Sequence, residues 1–126
     1  MAPQTQKRLI NQTKGGVVLA TDVRFATSFF ERAIGLMGRA SLPRESALFF
    51  KGSRWMPCNS IQTCFMRFPL DVIFLDPSMK VRSVARAVQP WRMTKPVVGA
   101  VTAIEMTSGA LAANAIEIGD VLHVGD

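Results

Sequence analysis

The stretch 70–75, Leu-Asp-Val-Ile-Phe-Leu, decides the fold class of this chain. Such a nearly continuous apolar run is typical of a strand that is covered on both faces. Asp76-Pro77-Ser78 follows, and Pro77 has the backbone angle that the first central position of a tight turn requires. The valine-rich segment 81–88 comes next. Together the two apolar segments are predicted to form a β-hairpin.

Further short strands are predicted on both sides of this hairpin. Each is an apolar or alternating run bounded by turn residues, and together they are residues 17–23, 47–51, 60–66, 98–106 and 121–124. In residues 60–66 the alternation places Ile61, Thr63 and Phe65 on one face. Residues 1–14 are polar without a usable period and are predicted to be disordered, which leaves residues 15–126 as a single domain.

Two short helices are predicted between the strands. Ser28 and Glu31 have the spacing of a capping box, in which each side chain accepts a hydrogen bond from the other residue's amide, and Gly38 is placed to end that helix. A second, Ala-rich helix is predicted for residues 109–114, with Ser108 as its cap. The predicted fold is therefore mainly β: a single-domain barrel or sandwich of short strands with one or two short helices.

Composition narrows the class of protein. The chain has 126 residues, of which 48% are hydrophobic, and this is enough to bury a core without metal or disulfide support. Two cysteines are too few for a disulfide-rich secreted scaffold. Residues 1–16 contain no apolar signal region, and no stretch reaches the length of a membrane span, so a cytoplasmic location is expected. No cofactor is predicted, because residues 35–38 lack the Lys-Ser/Thr of a phosphate-binding loop.

Charge is distributed unevenly along the chain, whose net charge is +6. Residues 24–95 carry a net charge of +8, whereas residues 96–126 contain no Lys or Arg and carry a net charge of −4. In one interpretation, the acidic third packs beside the basic middle and partly neutralises it. In the other, an uncompensated basic face meets an anionic partner.

Asp71 and Glu105 are the weak candidates for catalysis. Both lie in segments that should be buried, and a buried carboxylate is costly unless it is paired or hydrogen-bonded. Asp71 therefore has three possible roles. It pairs with Arg39, Arg67 or Arg92, it accepts hydrogen bonds from loop amides, or it is a functional carboxylate in a pocket.

Cys58 and Cys64 have no second pair of ligands that would favour a zinc site, and no metal is predicted.

Longer segments carry a family resemblance. They are residues 32–39, residues 58–76, Pro90-Trp91-Arg92, residues 103–106 and Gly119-Asp120. In these segments the chain resembles the family called domain of unknown function 192, or uncharacterised protein family 0127, over nearly its whole length. The resemblance implies a small, mainly β fold and no established activity. It also implies that many relatives carry His in place of Gln62 and an aromatic residue in place of Cys64, and Gln62 cannot replace a titrating base.

The candidate binding residues are grouped around two proline-containing loops. Trp55-Met56-Pro57 and Pro90-Trp91-Arg92 either present binding residues or close the ends of the β core. A pocket between such loops would combine an apolar wall with a few polar groups, as small-ligand sites do. The predicted ligand-binding residues are Arg39, Arg67 and Arg92 for anions, Asn59 and Gln62 for orienting hydrogen bonds, and Trp91 and Met66 for apolar contact.

The sequence favours a binding module that recognises a small ligand or a protein partner and has no catalysis of its own. One alternative is an enzyme that uses Asp71 or Glu105. A second alternative is a binder of single-stranded nucleic acid, in which Phe65, Phe68 and Trp91 stack on bases beside arginines of the basic middle segment.

Overall fold

In the computed structural model, which describes residues 7–26 and 41–126, seven β-strands form one sheet. The strands are β1 Lys7–Asn11, β2 Val17–Phe25, β3 Ser46–Phe50, β4 Leu70–Leu75, β5 Val81–Val88, β6 Thr102–Thr107 and β7 Leu122–Gly125. Their order across the sheet is β5-β4-β6-β3-β2-β1-β7, with β2 and β3 parallel and the other neighbours antiparallel. The predicted mainly β, single-domain fold is confirmed.

The sheet curls so that its two edge strands approach each other at one end. Lys80, just before β5, forms an antiparallel bridge with Val121, just before β7. The amide of Val81 donates a hydrogen bond to the carbonyl of Asp120 at 2.8 Å. The result is a curled half-barrel with an interior and an outer face.

Strand β4 contributes to two apolar cores, one on each face of the sheet, as its apolar run predicts. All six of its residues are buried. Ile73 and Leu75 face the interior of the half-barrel, whereas Val72 and Phe74 pack on the outer face. The hairpin of β4 and β5 is confirmed, and four other predicted strands are observed with shifted ends.

The outer face of the sheet is covered by the loop of residues 58–68, where the sequence predicts a strand at 60–66. Ile61, Met66 and Phe68 from this loop pack against the outer face of β4. The strand prediction is wrong because Phe65 has a φ of 67°, outside the extended region, so the chain turns there. Within this segment only Gln62 forms a β-bridge, with Met93.

The predicted helix at residues 109–114 is also wrong. Its residues form turns, because Gly109 has a φ of 86° and Leu111 is drawn into the core. The predicted helix at residues 28–38 lies outside the described residues. In the described part of the chain, no helix has the length and apolarity needed to cross a bilayer.

Strand β1 differs from the predicted disorder of residues 1–14. Lys7–Asn11 pairs with β2 on one side and with β7 on the other. Leu9 and Asn11 are fully buried between these neighbours. Five residues are too short a segment to show a period in sequence, so this strand becomes recognisable only through its pairing.

Asn11 joins β1 to the turn before β7 through a buried carboxylate. Its side-chain amide donates to Asp120 Oδ2 at 2.8 Å and to the carbonyl of Ala115 at 2.9 Å. The amide of Glu117 also donates to Asp120 Oδ2, at 2.9 Å. Burial opposes ionisation of Asp120, but these two hydrogen bonds and the charge of Lys14 outweigh it and lower the pKa of the carboxyl.

Because the pKa of Asp120 is lower in the folded state than in the unfolded chain, its ionisation stabilises the fold at neutral pH. We expect this contribution to be lost as the pH falls from about 5 towards about 2. Asp120→Asn keeps an acceptor oxygen but loses the charge, so it should lower the free energy of unfolding by about 1 kcal/mol at pH 7. The free energy of unfolding of this variant should also fall less than that of wild type as the pH is lowered.

Urea unfolding at a series of pH values measures this difference. Asp126→Asn is the control, because Asp126 forms an exposed ion pair with Lys7 and its loss should change stability little. A constant difference between wild type and Asp120→Asn from neutral to acid pH would contradict the assignment.

Candidate functional site

The candidate site is built by two loops that lie side by side, residues 58–68 and residues 89–97. Hydrogen bonds between main-chain groups hold them together. The amide of Thr63 donates to the carbonyl of Arg92 at 2.8 Å, and the amide of Trp91 donates to the carbonyl of Thr63 at 3.0 Å. The amide of Thr94 donates to the carbonyl of Ile61 at 2.8 Å. Residues far apart in sequence therefore have a fixed relative position.

Thr63 is the centre of this arrangement. It is fully buried, and its hydroxyl accepts from the amide of Arg92 at 2.9 Å. The same hydroxyl donates to the carbonyl of Gln89 at 2.7 Å. Thr63 lies in the first loop, and its side chain forms hydrogen bonds with main-chain groups of the second loop. It therefore fixes how the two loops are aligned.

The loops present two aromatic rings to solvent. The ring centroids of Phe65 and Trp91 are 4.7 Å apart at an interplanar angle of 57°. Each residue is 57% exposed, and their φ angles are 67° and 62°. A left-handed backbone is unfavourable for bulky residues and persists where the surrounding structure enforces it. We call this exposed pair the aromatic platform.

Six of the predicted ligand-binding residues lie on these two loops: Asn59, Gln62, Met66, Arg67, Trp91 and Arg92. Trp91 belongs to the platform, and Arg92 follows it directly. Arg67 lies two residues after Phe65, and both arginines are exposed. Gln62 Oε1 accepts from the amide of Cys64 at 2.7 Å, so this side chain shapes the turn that leads to Phe65. Arg39 lies outside the described residues.

Met66 and Phe68 lie in the core instead of at the surface. They are 6% and 7% exposed and pack with Ile61 between their own loop and the sheet. The amide of Met66 donates to the carbonyl of Thr63 at 3.1 Å, so the chain turns back at this point. The turn sends Phe65 outwards and Met66 inwards. Phe65 therefore belongs to the aromatic platform, whereas the buried Phe68 does not.

Asp71 accepts main-chain amides, one of the two structural roles that the sequence left open. It is 2% exposed, with Oδ1 accepting from the amide of Ala87 at 2.8 Å and Oδ2 from the amide of Gly109 at 3.1 Å. Ala87 has a φ of 53° and lies where the pairing of β4 and β5 shifts register. Through these two hydrogen bonds, Asp71 joins the part of β5 where the register shifts to the turn after β6.

Glu105 is fully buried on β6, but not beside Asp71. In the register of β4 and β6, Asp71 is opposite Met106, and Val72 is opposite Glu105. Because successive side chains of a strand point to opposite faces, the two carboxylates lie on opposite sides of the sheet. They cannot act together as an acid and a base.

The remaining candidates do not join the platform. Cys58 is half-buried and Cys64 is exposed, and they do not form a disulfide. Among residues 7–26 and 41–126, no cluster of three or more His, Cys, Asp or Glu is arranged to hold a metal ion. Trp55 lies at the tip of a turn and is 94% exposed, so it does not close the core.

A cleft that no sequence motif predicts lies at the end of the sheet where β6 begins. Its volume is about 610 Å³, and its walls come from the ends of β2, β3 and β7, the turn between β4 and β5, and residues 51–54. No local motif could have indicated it, because its lining comes from segments distant in sequence.

With this geometry in place, comparison with known proteins decides the family. The profile of domain of unknown function 192, described as "Uncharacterized ACR", matches residues 9–124. The chain belongs to this family. A UPF0127 protein of Pyrococcus furiosus is 34% identical over 115 residues, which are 91% of this chain and 96% of that protein. A UPF0127 protein of Thermococcus sibiricus is 39% identical over 112 residues, 89% of this chain and 71% of that protein.

The fold of this member of the UPF0127 family has a solved counterpart. A protein of unknown function from Novosphingobium aromaticivorans superposes with a TM-score of 0.76, at 24% sequence identity. The match covers 98% of this chain and 93% of that protein. This likeness concerns the arrangement of the strands alone.

Proposed function

We propose that this protein is a binding module that recognises an acidic protein segment bearing apolar side chains. The observation that carries the proposal is the aromatic platform: Phe65 and Trp91 are held in contact and exposed, both with left-handed backbones. A fold that needed these rings only for stability would bury them, since burial of apolar surface is what stabilises a fold.

The shape of the platform favours a protein over a small molecule. Small-ligand sites are concave and enclose most of the ligand, whereas Phe65 and Trp91 each leave more than half of their surface open. Met93, on the second loop, is 74% exposed. Aromatic residues, Met and Arg are the residue types enriched at protein interfaces, where a few such anchors dominate the binding energy.

Charge favours an acidic partner. Arg92 is exposed directly after Trp91 and makes no ion pair with any residue in the described part of the chain. The segment 24–95, which contains the first loop and most of the second, carries a net charge of +8. Carboxylates of a partner would gain contacts with guanidinium groups and would be steered towards this face.

Replacing Trp91 by alanine is expected to weaken binding of an acidic, apolar peptide by about tenfold or more, because the large anchor of the platform is lost. The chain has two tryptophans, so a Trp55→Phe background makes Trp91 the only source of tryptophan fluorescence. Calorimetric titration of wild type and Trp91→Ala with synthetic peptides in which Glu alternates with Phe or Leu, at low salt, measures the affinity. Trp91 fluorescence in the Trp55→Phe background reports whether the peptide reaches the platform. The matched peptide with Gln in place of Glu should bind more weakly.

Trp55→Ala is the control for Trp91→Ala, because Trp55 is 94% exposed and lies outside the platform. Affinity measured by calorimetry should change little in this variant. Equal affinity of Trp91→Ala and wild type for the acidic peptide would overturn the proposal. Tighter binding of single-stranded oligonucleotides than of the peptide, with a steep fall in affinity as salt rises, would overturn it in favour of nucleic-acid binding.

A further inference from the structure

The cleft at the end of the sheet is separate from the aromatic platform. Phe25 and Phe49 from the ends of β2 and β3, Met79 from the turn before β5, and Leu122 from β7 are among its lining residues. None of the platform residues lines it. Its volume of about 610 Å³ lies within the usual range of small-molecule sites.

The wall of the cleft is largely apolar. The rings of Phe25 and Phe49 lie 5.2 Å apart at an angle of 55°, and Phe25 remains 51% exposed. Val101 and Val124 extend this wall. An apolar ligand body would cover the open surface of Phe25 and so gain free energy from burial.

The charged side chains that line the cleft, Lys7, Lys51, Arg54 and Asp76, carry a net positive charge. Lys7 is neutralised by Asp126 at 2.7 Å. Asp76 Oδ1 accepts from the amides of Ser78 and Lys80, so this carboxylate is engaged in its own turn. Lys51 and Arg54 form no ion pair with any of the residues 7–26 and 41–126. Against the single carboxylate of Asp76, these two cations leave a net positive charge beside the apolar wall.

The main chain that carries Lys51 and Arg54 is held in place by the close packing of Gly52. The Gly52 amide donates to Thr102 Oγ1 at 3.4 Å, and a Cβ at this position would meet main-chain atoms of Val101 and Cys58. The amide of Met56 donates to Ser53 Oγ at 3.1 Å and closes the turn that contains Arg54. Preorganised groups lose less entropy on binding than mobile ones.

We propose that this cleft binds a small amphipathic anion, a carboxylate or sulfonate on an apolar body, with Lys51 and Arg54 contacting the anionic group and Phe25 the apolar part. This is a second site, and it does not rest on the proposed recognition of acidic protein segments.

Anilinonaphthalene sulfonate, an amphipathic anion that fluoresces in apolar surroundings, tests the proposal on the full chain. Its emission should rise with native protein and fall when decanoate displaces it. Decylammonium, which has the same chain length and the opposite charge, should displace the dye far less. The double variant Lys51→Gln/Arg54→Gln should weaken decanoate binding by about tenfold, because two charge-assisted contacts are lost.

Arg92→Gln/Lys95→Gln is the matched control, because it removes the same charge from the loop that carries the platform. Its decanoate affinity should stay within about twofold of wild type. Phe25→Ala should weaken decanoate binding while leaving the fold intact, since Phe25 is half exposed. Equal displacement by decylammonium, or equal loss in the two double variants, would overturn the proposal. Trp91→Ala should leave decanoate affinity unchanged, so the two sites are tested separately.

Discussion

Replacing Gly52 by alanine is expected to lower the free energy of unfolding by about 3 kcal/mol, one of the two largest losses expected in this chain. The new Cβ would overlap the carbonyl oxygen of Val101 and lie 2.6 Å from the amide nitrogen of Cys58. These are main-chain atoms, which cannot rotate away as a side chain can. The methyl group would also separate the two groups of the hydrogen bond from Cys58 to Val101.

Urea unfolding of Gly52→Ala measures the loss, and Gly15→Ala is the control. Gly15 has a φ of 71° and no atom within 4 Å of an added Cβ, so alanine there meets backbone strain without a clash. It should cost about 1 kcal/mol. Similar losses at Gly52 and Gly15 would show that close packing of Gly52 is not what the fold requires.

Asp71→Ala is expected to lower the free energy of unfolding by about 4 kcal/mol. The substitution leaves the amides of Ala87 and Gly109 without their acceptor, in a place that is only 2% exposed. Water cannot readily replace the carboxylate there, so the desolvation cost of both amides remains. The irregular end of β5 and the turn after β6 should loosen together, which hydrogen exchange at these amides would detect.

Asp76→Ala is the matched control, because Asp76 also accepts two main-chain amides, at 2.8 and 3.0 Å. Asp76 lies in an exposed turn, where water can take over, so its loss should cost about 1 kcal/mol. Equal losses at Asp71 and Asp76 would contradict the role given to burial. An Asp71→Ala variant of native stability would contradict the structural role and would return Asp71 to the candidates for catalysis.

The hairpin of β4 and β5 was predictable because its signals are local. An apolar run, a turn with proline at the right position and a second valine-rich run occur in order within residues 70–88. Strand β1 was not predictable, since Lys7–Asn11 is too short to show a period and gains its structure from two partner strands. Only pairing distinguishes such a segment from a disordered one.

The second loop of the candidate site was predictable from the sequence, but the first loop and the geometry were not. Proline and tryptophan in 90–92 indicate an exposed loop that presents Trp91, whereas the alternation in residues 60–66 predicts a strand where the first loop lies. Strict alternation placed Phe65 with Ile61 and Thr63, yet Phe65 is exposed whereas the other two are buried. The left-handed backbone at Phe65 breaks the alternation. Two hydrogen bonds within the first loop close the turn around it, from the amide of Met66 to the carbonyl of Thr63 and from the amide of Cys64 to Gln62 Oε1.

The sequence by itself determined the fold class, the buried hairpin and the family resemblance, because these depend on residue order within continuous segments. The tertiary structure alone decided that Asp71 and Glu105 lie on opposite faces, that Phe65 meets Trp91, and that Lys51 and Arg54 border an apolar cleft. The first and the third depend on the register and curl of the sheet, and the second depends on hydrogen bonds between the two loops. Register and curl follow from contacts between residues far apart in sequence, which a local pattern does not contain.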